Sequence, residues 1–305
     1  MMDALPARCV CALKPILAAA LLVWTTTATA APAPESTRDR AGNRLEPLVE
    51  SKDAASNTDA DDAAVGPRYC TTDGTWCLRL RRHPEASGQA PWLEVAQRVA
   101  GEAEPRYRHV AYAGVDGPSS LRIWPWLLRL APGAGLPSVP RDPVQAAQES
   151  VLVGVEREQQ TAYAGGGASS SALMLEQIYP TDDGTQTRSV LELPLGGSAS
   201  IRACFGERDT ALRRGACHDE YGFSAELGLA ASAQGMPVLR YATHATRFPA
   251  FASRHQDSLA RGQLSDKDLR TATDPICSYQ RELRFEQGRY VPGTALPDCS
   301  EFTGL

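Results

Sequence analysis

The chain has 305 residues, a formal net charge of -5 and 43% hydrophobic residues, enough for a globular core in one or two domains. The acidic balance gives no electrostatic reason to hold nucleic acid, whose binding rests on neutralised phosphates. Positive charge is nearly all arginine, with lysine only at Lys14, Lys52 and Lys267, and the abundant alanine reads as the codon bias of a GC-rich bacterium.

Residues 1–30 have the three parts of a secretory signal. Arg8 and Lys14 supply the positive start, Ile16–Trp24 the apolar core, and Ala28-Thr29-Ala30 a small-x-small cleavage site, with the cut expected before Ala31. The nine-position core is shorter than the about 20 apolar residues a membrane span needs. Cys9 and Cys11 precede it and follow no Leu-x-small stretch, which argues against a lipoprotein. No later segment is long and apolar enough to span a bilayer, so a soluble periplasmic or secreted product is expected. Arg8, Lys14 and Asp3 leave with the signal, taking the net charge from -5 to -6.

Residues 31–66 are rich in Ala, Pro, Asp, Ser and Thr, with Asp59-Ala-Asp-Asp62 as an acidic run. Such a composition buries too little surface to offset its ordering entropy, which predicts a disordered tether. Isolated carboxylates on such a segment do not organise a calcium site.

From Pro67 onward the dominant period is two. Trp76, Leu78 and Leu80 alternate with Cys77, Arg79 and Arg81. Val151, Val153 and Val155 share one side of a second run, and Leu173 and Leu175 share one side of a third. Tyr221, Phe223, Ala225, Leu227 and Leu229 alternate with Gly222, Ser224, Glu226 and Gly228, the pattern of a half-buried strand with one wet face. Tyr279, Arg281, Leu283 and Phe285 lead through the Gln287-Gly288 turn into Tyr290-Val291.

Helical signals are few. Asp142-Pro143 opens a run through Gln148, Pro249 to Arg261 stops at Gly262, and Ser265–Asp268 reads as a capping box. Gly165-Gly-Gly-Ala-Ser-Ser-Ser171 reads as a flexible hairpin loop, lacking the spacing and lysine of a phosphate loop. The prolines between Pro132 and Pro143 separate a small β unit at 67–131 from a larger one at 144–305, unless 67–305 is one domain with a long surface loop. The fold class is mainly β, an antiparallel sandwich or barrel with a few short helices, stapled by disulfides.

Six cysteines follow the signal, and in an oxidising compartment they read as disulfides. In Cys70-Thr-Thr-Asp-Gly-Thr-Trp-Cys77, counting outward from the Asp73-Gly74 turn sets Cys70 opposite Cys77. Opposed residues lie about 4.5–5.5 Å apart at Cα, within disulfide reach. Cys204 and Cys217 flank a polar loop, and Cys277 and Cys299 bracket a hairpin-like stretch. These spacings predict the pairs Cys70–Cys77, Cys204–Cys217 and Cys277–Cys299. Structural zinc sites use tighter Cys-x₂₋₄-Cys spacings, so no metal is expected.

No cofactor motif is present. Gly196-Gly-Ser-Ala-Ser200 approaches Gly-x-Ser-x-Gly but ends in serine and lacks a strand-turn-helix setting. Two candidate binding clusters stand out. His218, Asp219 and Glu220 put three titratable groups at the start of the strongest strand, where His218 and Glu220 can share a side and Asp219 faces the other way. Trp124-Pro125-Trp126 can form an indole platform for sugar rings, although the surrounding leucines favour burial. His109 and His244 read as ordinary hydrogen-bonded histidines. The sequence therefore predicts a non-catalytic binding or interaction protein of the bacterial envelope, with an envelope or extracellular protein or glycan as partner. The alternative is a glycan-binding protein or glycan-active enzyme with its site on a sheet face or loop.

Overall fold

Two antiparallel sheets dominate the computed structural model, which describes residues 37–51, 63–64, 66–82, 91–112, 119–135, 150–181 and 184–305. The export signal, the acidic run at 59–62 and the helix expected at 142–148 lie outside the described residues. Strands hold 53% of the described residues and helices 6%, which settles the mainly-β class.

In chain order the strands are β1 (Thr37–Arg38), β2 (Arg44–Pro47), β3 (Val49–Glu50), β4 (Ala63–Ala64), β5 (Tyr69–Cys70), β6 (Trp76–Arg82), β7 (Trp92–Gln97), β8 (Arg106–Ala111) and β9 (Ser119–Ile123). There follow β10 (Trp126–Arg129), β11 (Val151–Tyr163), β12 (Gly166–Thr181), β13 (Gly184–Arg202), β14 (His218–Leu229), β15 (Leu239–Phe248), β16 (Ala272–Thr273), β17 (Gln280–Glu286) and β18 (Arg289–Pro292). The small sheet runs β3-β5-β6-β7-β8, with β4 on β6. The large one runs β1-β2-β10-β11-β12-β13-β14-β15-β17-β18, with β9 on β11 and β16 on β15.

The first half of β11 is buried on both faces. Val151, Val153 and Val155 pack with Trp76, Leu78, Leu80, Leu93, Val95 and Val110 of the small sheet. Leu152 faces the other way, with Leu173, Leu175 and Leu193. That second core also takes in Leu239, Tyr241, Leu283 and Tyr290, because β14 pairs with β13 only as far as Ser224↔Gly196 and then runs on with β15 alone. Register shifts between β12 and β13, at Ser171/Ala172 and Leu175/Glu176, mark bulges that bend this region. Gly154 sits where a Cβ would lie 2.7 Å from a Leu175 methyl carbon and 3.0 Å from one of Leu173.

Buried Arg129 fastens the two sheets, donating from Nε to Glu46 at 2.8 Å and from Nη2 to Asp73 at 2.5 Å. Burial raises the Asp73 carboxyl, but hydrogen bonds from Thr71 and Thr75 and the charge of Arg129 outweigh it and hold the pKa down at about 2.

Several expectations are corrected. Residues 37–51 are not a tether, because they supply β1 to β3. Leu45 and Leu48 are buried, and Asn43, fully buried, accepts from Ala131 N–H at 2.7 Å and donates to Asp39 at 2.7 Å. Few apolar residues sufficed there because β2 takes its ladder from β10. Gly165–Ser171 is not a loop, since Gly166 opens β12 and every following residue is paired to β11. The helix expected over Pro249–Arg261 shrinks to a 3₁₀ turn at Ser258–Arg261, opened by the Asp257 carboxylate on Leu259 N–H. Upstream of it, Arg247 donates from Nη1 to Ala252 C=O, an acceptor that a helix would need for itself. The Cys204–Cys217 loop holds an unexpected short helix, Glu207–Leu212.

The three expected disulfides are present, with Cα separations of 4.0, 4.8 and 5.7 Å in chain order. The first turn is wider than two residues, because Gly74 N–H bonds the Thr71 carbonyl, yet Thr71 N–H still meets Trp76 and Cys70 still faces Cys77.

Two outcomes follow from these contacts. Gly154→Val should cost about 1–3 kcal/mol through overpacking, and an unchanged denaturation midpoint would show that this wall has slack. The Asp73 carboxylate, depressed in the folded chain, stabilises it above its ordinary value of 3.8 and loses that effect as the pH falls towards about 2. Parent and Asp73→Asn stabilities, measured by denaturant at a series of pH values, should therefore converge across that acid window. A constant gap would remove Asp73 from the account.

Candidate functional site

Strands β11 to β15 outrun both cores, and their far halves form one five-strand face whose rows follow from the ladder, since directly opposed residues share a side. One row reads Glu158, Ser171, Gly196, Ser224, His244. The next is Gln160, Ser169, Ser198, Gly222, Thr246, and the third Ala162, Gly167, Ser200, Glu220, Phe248. The middle of this face is glycine and serine, with one internal contact between Ser169 Oγ and Ser198 Oγ at 2.7 Å. Small side chains leave a depression of about 500 Å³ walled by Gln160 on one side and Glu220 on the other.

The reverse side is braced. Ala168, Ala199, Tyr221, Phe223 and Ala245 pack against Phe302 of the terminal helix Ser300–Thr303 and the Cys277–Cys299 bridge. A Cβ on Gly197 would fall 2.2 Å from the Phe302 carbonyl oxygen, so only glycine admits this helix. Arg254 donates from Nη1 to Gly304 C=O at 2.9 Å and lies 5.3 Å from the centre of the Tyr221 ring. Burial, reinforced by Asp219 and Glu301, pushes the Tyr221 phenol well above its usual range, so it stays neutral.

One row further along, about 6.7 Å in strand geometry, Arg202 stands opposite His218 on the open side. A second depression, about 600 Å³, adjoins them beside the Cys204–Cys217 bridge. Phe205, 68% exposed, stands at its edge, with the Arg202 guanidinium 5.4 Å from the ring centre. Asp209 accepts from Phe205 N–H at 2.9 Å and Arg202 Nε donates to Cys204 C=O at 2.7 Å, which fixes this corner. The two depressions follow one another along the strands as a stepped trough, Ser200 and Glu220 lining the first and Arg202 and His218 the second.

The structure divides the first predicted cluster. His218 and Glu220 are exposed on the open side, while Asp219 is buried on the reverse, 2.5 Å from Nη2 of Arg213, a side chain 1% exposed. Arg213 Nε also donates to Ala216 C=O at 2.6 Å. Asp219 thus anchors the disulfide loop. Of the tryptophans, Trp124 is buried in the core and Trp126 is half-buried against it, so the pair presents no exposed platform. His244 lies exposed on the open face and His109 packs 6.2 Å from Trp92 on the small sheet.

Sequence reasoning missed Phe205, Arg202 and the Gly/Ser floor. The floor's signal was that every residue of 167–171 and 196–200 is Gly, Ala or Ser, and it was obscured by glycine's weak strand preference. Among the described residues, no three His, Cys, Asp or Glu side chains converge as metal ligands. No helix among them is long and apolar enough to cross a membrane. No protein-family model matches the chain, and no curated protein or solved structure is detectably similar to it.

The split cluster yields opposite expectations for neighbouring residues. Asp219→Ala strands a buried guanidinium and should cost about 3–5 kcal/mol. His218→Ala should change stability by less than about 0.5 kcal/mol, as surface sites do. Equal losses in urea denaturation would mean that the two residues do not differ in role.

Proposed function

We propose that the chain is an exported, non-catalytic binding protein of the bacterial envelope, and that its ligand is a glycan held in the trough on the outer face of β11–β14. One observation carries this reading: the rigidly backed floor of hydroxyls and glycines, edged by Glu220, is followed one row on by Arg202 and His218, with the exposed Phe205 ring beside the Arg202 guanidinium. A sugar chain presents alternating hydroxyl edges and apolar ring faces, which suits a floor that offers hydrogen bonds and a ring that offers stacking. The trough is open along its length. Binding tolerates water at the interface, whereas chemistry gains from excluding it, so the shape favours binding over catalysis. The three disulfides fit folding in an oxidising compartment, in keeping with export.

The test is calorimetric titration of the exported chain with soluble cell-wall fragments and with neutral and acidic oligosaccharides. A glycan should bind, and Phe205→Ala and the floor-filling Ser198→Tyr should each weaken it by about tenfold or more, roughly 1.4 kcal/mol. Stability should be unaffected by Phe205→Ala. Failure of every glycan to bind, or binding indifferent to both substitutions, would overturn the reading. Release of new reducing ends from a bound glycan would replace it with the enzymatic alternative.

A further inference from the structure

The small sheet carries a second polar cleft, of about 420 Å³, at the Cys70–Cys77 hairpin. Its floor is the row Cys70, Cys77, Ala96, continued by the exposed Tyr107. Small atoms line the floor and arginines stand at both ends. One step beyond Tyr69↔Leu78, the register sets Arg68 opposite Arg79 on the face away from the core. At the other end Arg98, whose N–H bonds Thr75 C=O at 2.8 Å, follows Ala96 on that same face. Like charges directly opposed across strands are unfavourable, and a chain of net charge -5 has no general surplus of cations to distribute.

Three carboxylates nearby are already engaged. Glu94 accepts two bonds from Arg81, Glu102 takes Arg106, and Asp73, which borders the cleft, is held by Thr71, Thr75 and Arg129. Arg68 and Arg98 both line the cleft, and among the described residues neither side chain has a hydrogen-bond or ion-pair partner. Burial and the charge of Arg81, opposed by Glu94, depress the neighbouring Arg79 guanidinium, and Arg68 depresses it further. The exposed Thr72 hydroxyl adds a donor from the turn.

Two guanidinium forks and a turn hydroxyl line one cleft. A planar carboxylate is satisfied by one fork, whereas phosphate and sulfate offer acceptors in several directions and carry more charge. We propose that the cleft between Arg68 and Arg98, floored by the Cys70–Cys77 disulfide, binds the tetrahedral oxyanion of a phosphate or sulfate ester.

The experiment titrates the exported full chain with inorganic phosphate, inorganic sulfate, acetate and a sulfated polysaccharide, following amide shifts by NMR. Phosphate or sulfate should move the amides of residues 70–76 and 96–98, bind more tightly than acetate, and weaken with salt. Arg68→Gln and Arg98→Gln should each lower the affinity by about tenfold or more. Arg240→Gln, which removes a cation from the large sheet, should leave it unchanged, and so should Phe205→Ala in the trough. Polysaccharide binding that free phosphate displaces would assign the oxyanion to a polymer, and stronger binding of the free ions would assign it to a small ester; either supports the site. No saturable shift with phosphate or sulfate up to about 10 mM, an affinity of under about 3 kcal/mol, would overturn it. So would an equal loss in Arg240→Gln, or acetate binding as well as phosphate.

Discussion

Everything in this fold leans on the first half of β11, a strand with no wet side. Val151, Val153 and Val155 close the core shared with the small sheet while Leu152 and Gly154 close the core inside the large one. An antiparallel strand usually alternates apolar and polar residues because one face meets water. Here the run Val-Leu-Val-Gly-Val is apolar throughout, and the glycine is the adjustment that lets Leu173 and Leu175 approach. Losing shape at this strand would loosen two cores together.

Because those cores occupy only the near half of β11 to β13, the far halves have, among the described residues, no packing layer on one side. Their rigidity comes from the reverse face, where the terminal helix and the Cys277–Cys299 bridge pack. Cys277–Cys299 ties the chain end beneath the sheet, and Cys204–Cys217 closes the corner bearing Phe205. Loops of these lengths gain about 3 kcal/mol each from cross-linking in the chain-entropy model. A floor of glycine and serine contributes little packing of its own, so the brace is what keeps the open face flat and available.

Much of the architecture was legible in the sequence. Period-two patterning gave the inward rows of β6, β11, β12 and β14, and turn chemistry gave the Cys70–Cys77 register. What escaped was structure whose stabilisation is not local. Residues 37–51 have a disordered composition, yet Asn43 and Leu45 order them through partners around Ala131, Leu128 and Gly235 that no window of sequence contains. Gly165–Ser171 looked like a loop because strand propensity reads side chains, whereas this segment is held by ladders on both sides. The candidate site was half legible: His218 and Glu220 were placed on one side by alternation, but Phe205 carries no sequence signal beyond being an apolar residue in a polar loop.

The arginine bias acquires a structural meaning at the seams. A guanidinium has five donors in a planar fork and an apolar face, so one residue can bond a carboxylate and a carbonyl and still stack on a ring. Arg129 joins β2 to the β5–β6 turn, Arg213 joins the disulfide loop to β14, and Arg247 holds Asp274, the Ala252 carbonyl and the Phe302 ring at once. Arg188 does the same for Gln177, the Gly135 carbonyl and two aromatic rings. Each bonds across to a second segment, so lysine, a point charge, would leave bonds unmade. Against that pattern, the Arg68 and Arg98 side chains hold no second segment among the described residues. Arg202 spends one donor on Cys204 and keeps the rest of its fork on the open face.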